Sequence, residues 1–290
     1  MKQFLLSNIV KKETDYKKAI IRILMARGFL IDEYEGNYYL SDNSTMDDLE
    51  YLKKGMAKYC LGNVIDDGRY VTKSRRNWDK NDISRNYTYK SIQPKRIEII
   101  ISDSATIDAA IDFFHSVGRN GSEAGSNIRT WREYSIEVFG NKVSVEQLEA
   151  YVAFYVKAVS ACGVYTCFSC DGNHEDGGRI YVDSDYPSSI WHENIWNYII
   201  KPRFGDIPYI GYGIYFDEDN QAKVYEIVYD IATFLYTNRF KIRELKKFTL
   251  ENFTKKYLDT HYIEAIEKYY QLECEKVLEN TRLNLMERED

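Results

Sequence analysis

The chain has 290 residues, of which 44% are hydrophobic and 29% are charged, and this balance is typical of a globular protein with a sizeable core. The formal net charge of −6 excludes a globally basic nucleic-acid-binding protein, and no run of about 18 apolar residues predicts a membrane-spanning helix. The five cysteines are an odd number without a secretory signal, which predicts free thiols and a cytoplasmic protein.

The first predicted unit, residues 1–68, consists of a helix, a hairpin and a second helix. Apolar residues at helical spacing precede Gly28, which is a plausible helix stop. Short apolar runs on either side of Gly36 predict two strands joined by a turn. Thr45 is expected to cap a second helix that ends near Cys60.

Residues 69–96 are predicted to be a linker or an exposed loop, and they contain nine basic residues against two acidic ones. Interleaved aromatic residues allow such a segment to bind phosphates by charge and bases by stacking. The alternative is that it packs on an acidic surface, such as residues 31–68 with nine acids against three lysines. The candidate nucleic-acid-binding residues are Arg75, Arg76, Trp78, Lys80 and Arg85.

Residues 97–240 are predicted to form an α/β core in which strands and helices alternate, beginning with a dense β-type run at 97–101. Ser144 and Gln147 have the spacing of a capping box before a long apolar helical stripe. Strands near Cys167 and Ile180 should pair antiparallel across a polar turn. The expected fold class is therefore α+β, with a mixed, mostly antiparallel sheet covered by helices.

Residues 241–290 have a helical composition without Pro or Gly and are predicted to form a C-terminal helical arm. Apolar and tyrosine residues recur there at spacings of three and four, which indicates an amphipathic stripe. The stripe either lies on its own domain or contacts a partner. The candidate partner-binding residues are Tyr262, Ile266, Tyr269, Tyr270 and Val277.

Three thiols and an imidazole occur within thirteen residues of the predicted core. Zinc prefers four such ligands in a tetrahedron, so a zinc site is one interpretation. The alternative is that the cysteines are buried and behave as small hydrophobic side chains. The candidate zinc ligands are Cys162, Cys167, Cys170 and His174.

A polar, glycine-rich loop at 171–178 and a second polar loop at 119–126 could meet at one end of the sheet and form a site that binds Mg²⁺ or performs acid–base chemistry. Most loops of this composition are simple turns. The chain lacks the common phosphate-binding and nucleophile motifs. The candidate catalytic residues are Asp171, His174, Glu175, Arg132 and Glu133, with Arg129 beside them.

The stretch from Gly163 to Gly172, followed by a strand at 179–182, resembles a hairpin of uncharacterised phage and bacterial proteins with a T-x-x-S-C-x-G turn. The same hairpin is similar to one in wybutosine-synthesising methyltransferases. The order of a polar loop, a Glu-bearing strand with Glu133 and Glu137, a helix and a His-bearing strand resembles amidoligases. The last resemblance implies a metal- and nucleotide-dependent amide ligase.

Three functional hypotheses follow. The preferred one is a non-catalytic protein that binds another protein and self-associates; the phage-like hairpin extends it to a phage-encoded inhibitor of a bacterial defence complex. The second is a metal- or nucleotide-dependent enzyme that uses the region of Asp171, His174 and Arg132. The third is nucleic-acid contact through residues 69–96.

Overall fold

The structure is a computed structural model that describes residues 13–76, 86–117, 133–134, 141–164, 166–170, 179–184, 188–205, 209–210, 213–215 and 220–257, with a few isolated positions. The predicted α+β class is confirmed. The α-helices in these ranges are α1 (Tyr16–Ala26), α2 (Met46–Lys58), α3 (Ile107–Ser116), α4 (Ala153–Ala161), α5 (Ser188–Ile195), α6 (Lys201–Phe204) and α7 (Gln221–Tyr257).

The strands are short, and every pairing between them that the structure describes is antiparallel. They are β1 (Ile31–Tyr34), β2 (Asn37–Leu40), β3 (Gly62–Asp66), β4 (Val71–Arg76), β5 (Asn86–Ser91), β6 (Ile97–Ile101), β7 (Glu133–Tyr134), β8 (Asn141–Lys142), β9 (Thr166–Cys170), β10 (Arg179–Ser184), β11 (Tyr209–Ile210) and β12 (Gly213–Tyr215). They form two four-stranded sheets and two two-stranded sheets, where the sequence suggested one mixed sheet.

The chain divides into two compact units, which are Met1–Asn120 with Lys142–Phe154, and Gly121–Asn141 with Tyr155–Asp290. Strand β6 was assigned to the core, but it pairs with β2 and β3 of the N-terminal segment. The predicted linker at 69–96 contains β4 and β5, which pair with each other.

In the first unit, the strand order is β1-β2-β6-β3. Strand β6 buries Ile97, Ile99 and Ile101 and exposes Ile100, because alternate residues of a strand point to opposite faces. The register places Tyr38 on the face of Ile99 and Glu33 beside Tyr38. Lys18 of α1 forms a salt bridge with Glu33, so α1 lies on the buried side of the sheet.

The helices of the first unit begin at side-chain caps that the sequence identifies. Asp15 accepts hydrogen bonds from the backbone N–H groups of Lys17 and Lys18 at the start of α1. Thr45 and Asp48 form a reciprocal capping box at the start of α2, with both bonds at 3.0 Å or less. Such caps replace the hydrogen bonds that the first helical turn cannot make internally.

Helices α2 and α3 approach each other closely at Gly55. A Cβ atom at this position would lie 2.0 Å from the Phe113 ring, so a larger residue cannot be accommodated without moving that ring. Phe113 also contacts the rings of Phe29 and Tyr59, each with centroids 5.6 Å apart. These aromatic contacts form one part of the core of the first unit.

The predicted capping box at Ser144 and Gln147 is wrong. Residues Val145–Gln147 form a single 3-10 turn whose N-cap side chain makes no capping bond, and α4 begins only at Ala153. The cause is tertiary. The Val145 N–H donates to Asp48 Oδ1, at 2.8 Å, and the buried Arg27 guanidinium donates to the carbonyl oxygens of Val145 and Leu148. These contacts from Asp48 and Arg27 hold the segment in place, and the backbone of Leu148 after the turn is extended.

In the second unit, the strand order is β11-β12-β10-β9, and the predicted antiparallel pairing of the strands near Cys167 and Ile180 is confirmed. Helix α7 runs without a break through the predicted boundary at 240 and 241. Its buried residues include Val228, Ile231 and Leu235. No helix in the described ranges is long and apolar enough to cross a membrane.

Candidate interaction surface

The side of the first sheet that faces away from α1 presents a mixed set of tyrosine, isoleucine and acidic residues. The register aligns Asp32, Tyr39, Glu98 and Ile65 in one row across all four strands. A second row contains Tyr34 opposite Asn37 and Ile100 opposite Asn63. The open face is defined by these residues: Asp32, Tyr34, Tyr39, Ile65, Glu98 and Ile100.

Three large apolar side chains of the open face are accessible to solvent. Ile65 is 50% exposed, Tyr34 is 43% exposed and Ile100 is 41% exposed. Single exposed apolar residues are common on protein surfaces, but a contiguous group of them is characteristic of interaction sites. Ile65 and Ile100 lie on the neighbouring strands β3 and β6, where they are diagonal neighbours, because Ile65 is opposite Glu98 and Ile100 is opposite Asn63.

The open face also combines a cation with a tyrosine ring. The Lys95 ammonium lies 2.9 Å from the centroid of the Tyr34 ring, which is a favourable cation–π arrangement. The two acids in the first row, Asp32 and Glu98, are separated by Tyr39. The face therefore offers negative charge and aromatic rings together, and both attract cations.

Strands β4 and β5 form a two-stranded ribbon in the same unit, here called the basic ribbon. Lys73 is the cross-strand partner of Tyr89, and Arg75 is the partner of Tyr87. Cross-strand partners and alternate residues share a face, so these four positions lie on one face. The two strands contain four basic residues and no acid. The other two basic residues, Arg76 and Lys90, pair with Asn86 and Thr72, at positions on the opposite face of the ribbon.

Two acidic residues just before β4, Asp66 and Asp67, form ion pairs with nearby basic residues. Asp67 accepts from the Arg69 backbone and side chain and lies 3.7 Å from Arg96, so hydrogen bonds from Arg69 and the nearby guanidinium charges lower the pKa of Asp67. Burial raises the pKa of Asp66, but hydrogen bonds from Lys53, Tyr70 and the Gly68 N–H together outweigh it and lower that pKa.

The second unit contains a group of reactive residue types that are almost fully buried, here called the His192 cluster: Tyr155, Cys162, Trp191, His192 and Lys246. The Tyr155 hydroxyl lies 3.2 Å from His192 Nε2. Burial lowers the pKa of His192 to about 4 and raises the pKa of Tyr155. Both groups are therefore neutral at physiological pH.

Backbone carbonyl groups are the other partners of the cluster. Trp191 Nε1 donates to the Cys162 carbonyl oxygen at 3.0 Å, Cys162 Sγ donates to the Leu235 carbonyl oxygen at 3.4 Å, and Lys246 donates to the Gly163 carbonyl oxygen. Burial raises the pKa of the Cys162 thiol to about 12, so the reactive thiolate is disfavoured. The cluster connects helices and turns of the unit and is inaccessible to a substrate.

Most candidate site residues from the sequence lie outside the described residues. These are the catalytic candidates Asp171, His174, Glu175, Arg129 and Arg132, the partner-binding candidates Tyr262, Ile266, Tyr269, Tyr270 and Val277, and the nucleic-acid candidates Trp78, Lys80 and Arg85. Glu133 lies in β7, and Arg75 and Arg76 lie at the end of β4.

The zinc candidates are only partly described. Cys162 is buried at the end of α4 and bonds to Leu235, while Cys170 ends β9 and is partly exposed. Cys167 lies within β9, and His174 is outside the described residues. Among the described side chains, no group of three His, Cys, Asp or Glu residues has a metal-binding arrangement.

The structure brings together residues that the sequence reasoning missed. The exposure of Ile65 and Ile100 depends on the pairing of β3 with β6, and a run of isoleucines gives no alternation that would mark the open side. Arg27 is fully buried and donates to Val117, Val145 and Leu148.

In comparisons with known proteins, no family model, no curated protein and no solved structure matches the chain.

Proposed function

We propose that the protein is a non-catalytic binding protein that associates with itself through the open face of its first sheet. The observation that carries this proposal is the exposure of Tyr34, Ile65 and Ile100 on the same side of the sheet, opposite α1. Removing such a surface from water contributes favourable free energy to association.

The composition of the open face supports protein binding over catalysis. Tyrosine and isoleucine supply apolar contact area, and the acids in the same row supply specificity. Two described residues with catalytic chemistry, His192 and Cys162, are buried and bonded to protein groups. Inhibition of a bacterial defence complex is a further hypothesis that rests on the sequence alone.

The mass of the full chain in solution tests this proposal. Light scattering after size-exclusion chromatography, over a wide concentration range, should give a mass above that of the 34.2 kDa chain. The double variant Ile65→Lys/Ile100→Lys should shift the protein to the monomer, because burying two ammonium groups in an apolar contact is costly.

The matched control is Ala57→Lys, which adds a charge at an exposed position of α2 and should leave the mass unchanged. A wild-type chain that remains a monomer at every concentration would contradict the proposal. So would an oligomer whose mass is unaffected by the double variant while circular dichroism shows it to be folded.

A further inference from the structure

Strand β3 is the last strand at one edge of the first sheet, in which the order is β1-β2-β6-β3. The Ser102 N–H donates to the Leu61 carbonyl oxygen at 2.9 Å, directly beside the pairing of β3 with β6. Because hydrogen-bonded pairs alternate along an antiparallel ladder, Asn63 and Ile65 direct their backbone groups toward β6. Val64 directs its N–H and C=O groups away from the sheet, and no described strand pairs with the outer side of β3.

The β3 edge, defined by the outward backbone groups of Gly62, Val64 and Asp66, is regular and open. Every residue of β3 has its partner in β6 without a shift of register, so no β-bulge interrupts the edge. Asn63 and Ile65 are exposed, and the edge residues between them are only half-buried. Strand β3 contains no lysine, arginine or proline, which are residues that commonly keep edge strands from pairing. The β3 edge is therefore a template for an added strand.

The β3 edge is complementary to itself in an antiparallel pair. With Val64 opposite Val64 of a second copy, Gly62 lies opposite Asp66 on both sides, and every outward donor meets an acceptor. Asp66 is the single charged residue of β3, and its carboxylate already forms a salt bridge with Lys53 at 2.6 Å. Since the residue opposite Asp66 is a glycine, the pairing places no two like charges opposite each other.

The side chains on both sides of the strand also favour this pairing. On the side of the open face, Ile65 is 50% exposed. In the joined strands it lies opposite Asn63 and diagonal to the second Ile65, where side chains are within reach of each other. On the other side, Val64 meets its own counterpart, and β-branched residues suit such cross-strand contacts. Pairing thus covers apolar area as well as backbone groups.

Strand β1 forms the other edge of the sheet, where self-pairing is unfavourable. The Ser41 N–H donates to the Leu30 carbonyl oxygen at 2.9 Å, which places the outward backbone groups at Ile31 and Glu33. Antiparallel pairing of these residues would put Asp32 directly opposite Asp32 of a second copy. Like charges in directly opposite positions are destabilising. The two edges therefore differ, and β3 is the one that accepts its own copy.

We infer that β3 of one copy pairs antiparallel with β3 of a second copy and joins the two four-stranded sheets edge to edge. This contact goes beyond the proposed association through the open face, because backbone hydrogen bonds of an edge strand form it. The two-fold axis of such a pair is perpendicular to the joined sheet, so the open faces of both copies lie on the same side. The edge contact and the face contact are therefore compatible.

Amide hydrogen exchange, measured by NMR on the full chain at increasing protein concentration, tests the inference. The Val64 and Asp66 amides should exchange at least about tenfold more slowly in the associated protein, because exchange then requires the new hydrogen bonds to open. The Asn63 and Ile65 amides face β6 and should remain slow at every concentration. Association that leaves Val64 exchange unchanged would overturn the inference and leave the proposed function standing. Slower exchange of Glu33 together with Val64 would also overturn it, because β3 would then pair with β1.

Proline variants at the two edges provide a second measurement. Val64→Pro removes an outward N–H of β3 and no hydrogen bond to β6, and edge strands tolerate proline at such positions. It should weaken dimer formation at least about tenfold in sedimentation velocity. Glu33→Pro removes an outward N–H of β1 in the same way and should associate as wild type does. If both variants are folded by circular dichroism and Val64→Pro associates as tightly as Glu33→Pro, the β3 edge is not a contact between copies.

Discussion

The open face of the first unit and the His192 cluster of the second unit both combine tyrosine with charged or titratable side chains, but they differ in access to solvent. Tyr34 is 43% exposed, whereas Tyr155 is 2% exposed and His192 is fully buried. Residue types alone would point to the cluster as an active site. Burial keeps the cluster away from solvent, whereas the tyrosine and isoleucine side chains of the open face are accessible to another molecule.

The largest expected difference between exposed and buried groups is in thiol reactivity. Cys60 is exposed and Cys162 is buried with a raised pKa. Alkylation of native protein, followed by peptide mass spectrometry, should modify Cys162 about a thousandfold more slowly than Cys60, because Cys162 reacts only after local unfolding. Similar rates at the two positions would show that the cluster is open to solvent.

The buried polar contacts of the first unit should contribute more to stability than its surface ion pairs. Arg27→Met removes the donors to Val117, Val145 and Leu148 and should lower the free energy of unfolding in urea by about 3 to 5 kcal/mol. Arg22→Met, on the same helix, breaks the partly exposed pair with Glu13 and should cost less than about 1 kcal/mol. Equal losses of unfolding free energy in the two variants would contradict the larger contribution assigned to the buried Arg27 contacts.

Acid should destabilise the second unit through His192. Its pKa is about 4 when folded and 6.5 as the ordinary value, so the unfolded state binds the proton first as pH falls. The contribution of the neutral His192 to the free energy of unfolding is therefore fully present above about pH 6.5. It decreases between pH 6.5 and 4, by about 3 kcal/mol at most.

The measurement is urea unfolding at several pH values for wild type and His192→Gln. The difference in unfolding free energy between the two proteins should shrink as the pH falls through this window. Tyr155→Phe keeps the imidazole and should retain the wild-type slope. A difference that is constant with pH would mean that the pKa of His192 is the same in the folded and unfolded states.

The smallest expected effect is at a helix cap. Thr45→Ala removes the hydroxyl that accepts from the Asp48 N–H and should lower the free energy of unfolding by about 1 kcal/mol. Thr14→Ala, at an exposed position just before α1, should change it by less than about 0.5 kcal/mol. Comparable losses of unfolding free energy in the two variants would show that the capping hydrogen bond of Thr45 contributes nothing to stability.

Local features of the fold were predictable from the sequence where a few neighbouring residues determine them. Thr45 and Asp48 predict the start of α2, and Gly36 predicts the turn between β1 and β2. The partners of β6 were not predictable, because an isoleucine-rich strand is compatible with several positions in a sheet. The 3-10 turn after Ser144 depends on Arg27 and Asp48, more than ninety residues away.

The candidate surface was predictable only in its charge. Composition identifies a basic segment at 69–96 next to an acidic one, but not that β4 and β5 pair so that lysine and arginine share a face with tyrosine. The exposure of Ile65 and Ile100 follows from which face α1 covers. Long-range packing sets this, and no local pattern encodes it.

Hydroxyl-radical footprinting of two tyrosines tests the central claim most directly. Tyr34 lies on the open face and Tyr16 lies on α1, at the opposite side of the sheet, and their exposures are 43% and 40%. As the protein concentration rises through the association range, oxidation of Tyr34 should decrease while oxidation of Tyr16 stays constant. Unchanged oxidation of Tyr34 in a protein that has associated would contradict the claim that the open face is the surface of contact.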